Sequence, residues 1–308
     1  MSNPPANVPP PPGPLIFDRA LLAARRDRAA ANAAAHDFLL HRVADDLAER
    51  LAVVRRTFET ALVLGAHHGI VGRRLRALST ICTVIETESS PRLLAQCTGP
   101  HLLVDEEALP FRDGTLDLVI APLTLQYVND LPGTLVQIRR ALKPDGLFLG
   151  AMIGGRTLAE LREALLAAEA EIEGGASPRV APFADVRDAG ALLQRAGFAL
   201  PVADADTVNV TYATPFDLMR EIKGMGASNM LLARRKSPMR RATFLRSAEI
   251  YAERFSTADS RISATFEIIT MTGWAPHESQ QKPLLPGSAR TRLADALGVP
   301  ERPSSDKP

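Results

Sequence analysis

Short apolar runs alternate with amphipathic stretches through the middle of the chain. Thr60 to Leu64, Ile81 to Ile85 and Leu116 to Ala121 are short, mostly apolar and rich in β-branched residues, which is typical of buried strands. The segments between them place apolar residues at helical spacing. Strands that alternate with helices in this way build a parallel sheet that is covered on both faces. The pattern therefore predicts an α/β fold with a doubly wound sheet.

The regions before and after this core predict further elements. Residues 15–58 carry apolar positions at helical spacing, which predicts N-terminal helices; these positions are Phe38, Leu39, Val43, Leu47, Leu51 and Val54. Val202 to Tyr212 and Ser263 to Gly273 alternate apolar and polar residues, as strands do. We expect these two strands to be the last of the sheet and antiparallel to one another. The helical, Arg-rich stretch at about 215–258 would then be an insertion before the last strand, folded as a lid.

Composition limits the number of domains and the class of partner. With 308 residues and 46% apolar content, the chain can bury one main core, which we assign to residues 59–284. The Pro-rich residues 1–14 predict a disordered tail, and residues 285–308 predict a loop-like tail. A formal charge of +1 does not favour a nucleic-acid partner. The basic runs at Arg25 to Arg28 and Arg234 to Arg241 are most simply solvated surfaces.

Several features bear on where the protein resides. No apolar run approaches the length of roughly 18 residues that a spanning helix needs. The first residues lack the basic start and apolar core of a secretory signal and the Arg-rich character of a transit peptide. The chain has two cysteines, Cys82 and Cys97, which we expect to be reduced and buried. Together these features predict a cytoplasmic, bacterial-type protein.

Three loops that follow the first three predicted strands carry the residues with candidate chemistry. The first reads GAHHG over Gly65 to Gly69; its glycines let a ligand approach the backbone, and the helix that follows favours an electronegative group. The second contains Glu88 within ETESSP, and the third contains Asp105 before LPF. Glu86 is an alternative to Glu88 in another register. Glu88 is also open to a simpler interpretation, as a solvated carboxylate that caps the next helix.

In this order, the three loops resemble those of the class I S-adenosylmethionine (SAM) dependent methyltransferases, which have a Rossmann-like sheet. The resemblance implies SAM as the cofactor, with Glu88 at the ribose, Asp105 at the adenine and the segment around Leu123 beside the methyl group. The cofactor-binding residues that it implies are Gly65, Ala66, Gly69, Glu88, Asp105 and Leu123.

Two positions depart from the pattern of these methyltransferases. Val63 stands where the pattern has an acidic residue, and it cannot hold an ammonium group. His67 stands where the pattern has a glycine. We expect its side chain to crowd the path of the methionine or ribose part of SAM, because the backbone and the ligand would be closest there.

The C-terminal half carries rarer motifs: GAMIGGRTLAELR from Gly150, PFADVRDAGALLQRAGF from Pro182, IKGMGASN from Ile222 and ATFEIITMTGWAPHESQ from Ala264. They resemble the methyltransferase-fold assembly factors of respiratory complex I. That resemblance implies a protein partner, namely a complex I subunit of the quinone-binding module, and hydroxylation of an arginine on it. The residues that we expect on the substrate side are Gln126, Tyr127, Met225, Asn229, Trp274, His277, Glu278 and Gln280.

The chain shows no pattern of metal ligands. The neighbouring His67 and His68 should point in different directions, whereas ligands must converge on one point. We therefore predict no metal site and name no catalytic residue.

Three functional hypotheses remain open. The first is an enzyme of the methyltransferase fold that modifies a protein side chain, by arginine hydroxylation or methylation, during complex I assembly. The second is an assembly chaperone that kept the fold and lost the chemistry, which the substitutions at Val63 and His67 favour. The third is a small-molecule methyltransferase of the biotin or quinone type, which does not account for the GMGASN and HESQ segments.

Overall fold

A computed structural model describes residues 15–281 together with 291, 295 and 298. The strands are β1 Phe58–Leu64, β2 Ile81–Glu88, β3 His101–Leu103, β4 Leu116–Pro122, β5 Leu142–Ile153, β6 Ala199–Tyr212 and β7 Ile262–Trp274. The α-helices are α1 Arg19–Ala29, α2 Phe38–Ala52, α3 Ile70–Arg76, α4 Pro91–Leu94, α5 Leu131–Ala141, α6 Ala159–Glu173, α7 Val186–Arg195, α8 Pro215–Gly224 and α9 Arg241–Phe255. Two 3-10 helices span Ala30–Ala35 and Leu125–Tyr127.

The strands form one seven-stranded sheet in the order β3-β2-β1-β4-β5-β7-β6. The strands from β3 to β5 are parallel, and β7 lies antiparallel between β5 and β6. This arrangement confirms the predicted doubly wound, methyltransferase-like fold with two antiparallel strands at its end. The insertion between those two strands consists of α8, α9 and the loop that joins them.

Two apolar cores lie on the two faces of the sheet. Successive residues of a strand point to opposite faces. Val63 therefore joins the core that also contains α2 and α3, while Leu62 and Leu64 join the core beneath α5 and α7. All three side chains are fully buried. This burial on both faces explains why the central strands read as continuous apolar runs.

The N-terminal segment and the insertion are joined above the carboxyl edge of the parallel strands. Phe17 forms an antiparallel bridge with Leu231, and the Asp18 amide donates a 2.8 Å hydrogen bond to the Met230 carbonyl. Farther along, the His36 ring lies 2.7 Å from a Glu221 carboxylate oxygen. The expected lid is therefore a composite of two distant parts of the chain.

Two glycines permit this close packing. A Cβ atom on Gly224 would lie 2.1 Å from the His36 ring, and one on Gly226 would lie 3.1 Å from the Arg26 Cα atom. Gly226 also has a φ of +72°, which disfavours other residues. The GMG motif thus gives the end of α8 a close fit against α1 and the 3-10 helix that follows it.

The remaining predictions concern the cysteines, membrane-spanning segments and the two tails. Cys97 is buried as expected, but Cys82 is exposed, because it lies on the partly exposed amino-terminal half of β2. Within the described ranges, no helix is long and apolar enough to cross a membrane. The predicted tail at residues 1–14 and nearly all of the predicted tail at 285–308 lie outside the described residues. The chain divides into a unit ending at Pro276 and a second unit from His277 onward.

Candidate functional site

The loop after β1 brings the backbone close to the loop after β4. Gly65 has a φ of +74° and Gly69 a φ of +82°, so both occupy the left-handed region that glycine adopts without strain. A Cβ atom on Gly65 would lie 2.5 Å from the Thr124 Cβ atom. Ala66 is fully buried, and its amide donates to the Thr87 carbonyl. The glycines thus shape a tight turn, and α3 starts at its end.

Glu88 lies at the carboxyl end of β2 and is buried, with 1% of its surface exposed. Its Oε1 accepts hydrogen bonds from the Ser89 amide at 2.9 Å and the Ser90 amide at 3.2 Å. Its Oε2 accepts one from the His67 amide at 3.0 Å. The carboxylate is therefore an internal connector between the loops after β1 and β2. The alternative of a solvated helix cap is excluded by this burial.

Glu86, the alternative ligand, lies away from this cleft. Its side chain is fully buried beneath α3. Its Oε2 accepts hydrogen bonds from Arg76 at 2.9 Å and from the Gly99 amide at 3.3 Å. Glu86 therefore supports the packing of α3, and Glu88 is the carboxylate at the strand end.

Two arginines of α1 enter the cleft and pair with its carboxylates. Arg26 is only 3% exposed, and its Nη1 lies 3.1 Å from Glu88 and 3.6 Å from Glu106. Arg19 pairs with Glu106 and, at 2.7 Å, with Asp105. The prediction that the run from Arg25 to Arg28 is a solvated surface is therefore wrong for Arg26, because the helix turns that side chain toward the buried carboxylates.

The buried pair is ionised. Burial opposes the charge on Glu88, but Arg26 and the surrounding hydrogen-bond donors hold the pKa of this carboxylate below its ordinary value. Burial likewise opposes the charge on Arg26, while Glu88 and Glu106 raise its pKa above the ordinary value. The two arginines and the three carboxylates at Glu88, Asp105 and Glu106 leave the cleft with a net negative charge.

His67 has a left-handed backbone, with a φ of +52°, and its Nε2 lies 3.0 Å from the Pro122 carbonyl. Burial and the nearby charge of Arg26 lower the pKa of His67 to about 4. His68 points elsewhere, toward Asp37 at 3.0 Å, so the two rings diverge. The His67 ring thus bridges the loops after β1 and β4 as a neutral group, at the position where we expected it to crowd a ligand.

The neutral state of His67 makes the stability of the fold depend on pH. An unfolded histidine has its pKa near 6.5, so the unfolded chain takes up a proton on His67 as the pH falls below this value. The folded chain takes up the same proton only near pH 4. We expect a loss of roughly 2 to 3 kcal/mol of unfolding free energy between these pH values. Asparagine tolerates a left-handed backbone, so urea denaturation of His67→Asn should show a flatter pH dependence. His101→Asn, which changes an exposed ring, is the control, and parallel curves for His67→Asn and the unmodified protein would contradict the assignment.

An inner cavity of about 100 Å³ lies beside this cleft, beneath the N-terminal segment and the end of α8. Among the predicted site residues, Leu123, Gln126, Tyr127 and Met225 line it, together with Arg26 and His67. Gln126 is 6% exposed, and its amide nitrogen donates to the Leu123 carbonyl at 2.8 Å. Its Oε1 is buried and has no hydrogen-bond partner. A buried acceptor without a donor is costly, so Gln126, which lines the cavity, is a candidate to accept a hydrogen bond from a ligand if its side chain turns toward that cavity.

The other predicted substrate-side residues have different positions. Asn229 lies in the insertion, donates to the Pro178 carbonyl at 2.8 Å and lines a second cavity. Trp274 pairs with Leu147 in the first half of β5 and stacks with Arg56. Its assignment to the substrate side is therefore corrected, because β7 runs antiparallel and ends at the opposite edge of the sheet from the cleft.

His277, Glu278 and Gln280 belong to the second unit. The His277 amide donates to the Gln280 side chain at 3.2 Å, and the His277 ring lies 2.7 Å from the Ser279 hydroxyl. These contacts describe a locally hydrogen-bonded turn. A substrate role for the three residues stays a prediction.

Sequence reasoning missed three charged residues of the cleft, namely Arg19, Arg26 and Glu106. Their signal was present, because two arginines seven positions apart lie on one face of a helix. The carboxylates that they meet belong to distant loops, however, and no local pattern shows that pairing. Among the residues that the structure describes, no group of three or more His, Cys, Asp or Glu side chains is placed to hold a metal ion.

The chain was compared with known proteins. Residues 62–150 match the sequence profile described as "Methyltransferase domain". The arginine-hydroxylase NDUFAF5 of Danio rerio, a mitochondrial protein, is 39% identical over 91% of this chain and 89% of its own length. The chain belongs to this family. The malonyl-[acyl-carrier protein] O-methyltransferase of Laribacter hongkongensis is 32% identical over 84% of this chain and 90% of its own length.

Solved structures agree on the fold. The YcgJ protein of Bacillus subtilis has a TM-score of 0.53 at 13% identity, over 77% of this chain and 99% of its own. Family membership confirms the recognition made from the GMGASN and HESQ segments. The cytoplasmic location that we predicted is contradicted, since the relatives in the NDUFAF5 family are named as mitochondrial proteins.

Proposed function

We propose that the protein is an enzyme that modifies an arginine side chain of a protein partner, a complex I subunit of the quinone-binding module, and that it binds SAM in the cleft at the carboxyl edge of the sheet. The name of its arginine-hydroxylase relatives supports the reaction, and the methyltransferase domain supports the cofactor. The observation that carries the proposal is the unpaired, buried Oε1 of Gln126 beside that cleft.

The residues around the cleft fit SAM. The loop at Gly65 and Gly69 brings backbone and ligand together. The Oε2 of Glu88 accepts a single hydrogen bond in the structure, so it has capacity for a ribose hydroxyl once Arg26 and α1, which cover this carboxylate, move aside. The Asp105 side chain is 53% exposed and can face the adenine. When bound, SAM supplies a methyl group that is activated by a positively charged sulfur.

On the acceptor side, the protein supplies a hydrogen-bond acceptor. A guanidinium group offers five N–H donors and no acceptor, which complements the Gln126 oxygen. Gln126 would thus orient the target arginine, and the neutral His67 would add no repulsive charge.

The test of cofactor binding is a calorimetric titration of the purified protein with SAM. Asp105→Ala should weaken binding by about 10-fold or more, since a hydrogen bond to a charged group contributes roughly 1.5 to 3 kcal/mol. Asp113→Ala, which removes another exposed carboxylate, should leave the affinity unchanged. Equal affinities for both variants would mean that Asp105 does not contact the cofactor.

The test of turnover is mass spectrometry of the partner subunit from cells with and without the gene. An added oxygen or methyl group on one arginine that depends on the gene is the expected result; an added oxygen would come from O2 with a two-electron reductant, because SAM supplies only the methyl group. Gln126→Leu, which keeps the approximate size of the side chain but removes the acceptor, should reduce this modification without affecting SAM binding.

The second candidate is an assembly chaperone without chemistry. The contact that favours it is Arg26 against Glu88 at 3.1 Å, because α1 then covers the carboxylate that would receive the ribose. The two candidates differ in the titration: a chaperone of this kind would bind its partner without binding SAM and would leave the partner's arginine unmodified.

A further inference from the structure

A second, larger cavity lies beneath the insertion. It has a volume of about 340 Å³, within the range of small-ligand sites, and we refer to it as the methionine chamber. Four of the seven methionines in the chain line it, together with aliphatic and aromatic side chains of α6, α8 and β7; these methionines are Met219, Met225, Met230 and Met239. Methionine is flexible and polarisable, so such walls adapt to apolar groups of different shape.

Most polar residues of the chamber wall are already engaged with the protein. Arg179 donates to Glu169 at 2.8 Å, Asn229 donates to the Pro178 carbonyl at 2.8 Å, and Thr157 exchanges two hydrogen bonds with Glu267. The remaining polar wall residues are Ser228 and Tyr127. A polar occupant would lose its bonds to water and find few replacements, which disfavours its burial. The chamber therefore suits an apolar group.

The chamber and the inner cavity share walls. Leu39, Tyr127, Ile153 and Met225 line both cavities. Gln126, whose Oε1 has no hydrogen-bond partner, lines the inner cavity, whereas most of the chamber wall is apolar. A single occupant that fills both cavities therefore carries an N–H donor for Gln126 and, next to it, an apolar group for the chamber. A quinone lacks such a donor, but a peptide with an arginine beside a bulky apolar residue has both parts.

We propose that the methionine chamber is a specificity subsite that seats the apolar side chain of a residue next to the target arginine in the partner protein. This inference rests on the proposed arginine modification and adds the sequence context that the enzyme selects. The arginine reaches Gln126 in the inner cavity, and its neighbour fills the space between α6 and α8. The methionines allow leucine, isoleucine or phenylalanine to be accepted at that neighbouring position.

The test uses the full-length protein with saturating SAM and acetylated five-residue peptides that have a central arginine. The neighbouring positions carry alanine, leucine, phenylalanine or aspartate, and binding is measured by fluorescence anisotropy. Burial of a leucine or phenylalanine side chain contributes roughly 1.5 to 3 kcal/mol, so these peptides should bind about 10-fold or more tightly than the alanine peptide. The aspartate peptide should bind most weakly.

Variants localise the effect. Ala181 lines the chamber but not the inner cavity, so Ala181→Leu should fill the chamber and reduce the preference for leucine over alanine to less than 3-fold. Ala252→Leu, on the exposed face of α9, should keep the preference. A second variant enlarges the chamber instead of filling it: Met219→Ala should shift the preference from leucine toward phenylalanine. Both chamber variants should bind SAM as the unmodified protein does.

The outcomes separate this inference from the proposed function. If all arginine peptides bind with the same affinity, whichever residues flank the arginine, the subsite is overturned and the proposed arginine modification is unaffected. No binding of any arginine peptide would overturn both. Decyl-ubiquinone is the probe for a small apolar ligand. If it binds, if Ala181→Leu blocks its binding, and if apolar neighbours have no effect on peptide affinity, the chamber is assigned to a small apolar molecule and the peptide subsite is overturned.

Discussion

Arg26→Met is expected to lower the free energy of unfolding by about 3 to 5 kcal/mol, as is usual when one partner of a buried ion pair is removed. Arg26 is 3% exposed and lies between Glu88 and Glu106, each 1% exposed. Without its guanidinium, both carboxylates would stay charged without this partner or take up protons inside the fold. Urea denaturation at neutral pH measures the loss.

Arg28→Met is the matched control, because Arg28 is exposed on the same helix and should change stability by no more than about 0.5 kcal/mol. Glu88→Gln in the Arg26→Met background removes one of the stranded charges. The double variant should therefore be more stable than the sum of the two single losses predicts. A loss below about 1 kcal/mol for Arg26→Met would show that α1 does not hold this ion pair in solution.

The second large effect is expected for Gly72→Ala in α3. A Cβ atom at Gly72 would lie 2.1 Å from the Oε1 of Glu86, and that carboxylate is fully buried. Either α3 moves away from the sheet or the carboxylate leaves Arg76. Overpacking of this kind costs roughly 1 to 3 kcal/mol, which should exceed the gain of up to about 1 kcal/mol that alanine brings to a helix.

Gly190→Ala in α7 is the control, because it measures the helical preference of alanine without overpacking. Its Cβ atom would meet only Ala203, at 3.8 Å, so this variant should gain roughly 0.4 to 1 kcal/mol. Thermal unfolding of the two variants measures the contrast. A Gly72→Ala protein as stable as Gly190→Ala would mean that Glu86 can move aside without cost.

The fold followed from local patterns to a large extent. Leu62, Val63 and Leu64 are buried on alternating faces, and continuous apolar runs report strands of this kind because both faces of the sheet are covered. The order of glycine loop, Glu88 and Asp105 also predicted that these residues gather at one edge, since the carboxyl ends of parallel strands meet there. The burial of Glu88 beneath α1 did not follow from this order.

The direction of the last strand explains one failure. Trp274 is an aromatic residue, a type common in pocket walls, and it lies in one of the motifs that identify the family. Because β7 is antiparallel to β5, its end pairs with Leu147 in the first half of that strand. The position of a residue after a strand thus depends on the direction of that strand, and the alternation of apolar residues is the same for both directions.

By itself, the sequence determined the sheet, its antiparallel end and the family, and it favoured Glu88 over Glu86 as the carboxylate that ends β2, because each of these depends on spacing within a short stretch of chain. Only the tertiary structure decided what that carboxylate contacts. Arg26 and Glu88 are 62 positions apart, and the pairing forms because α1 is held above the sheet by the insertion. The energy of a buried charge depends on every neighbour that replaces water around it, and those neighbours come from parts of the chain that no local pattern connects.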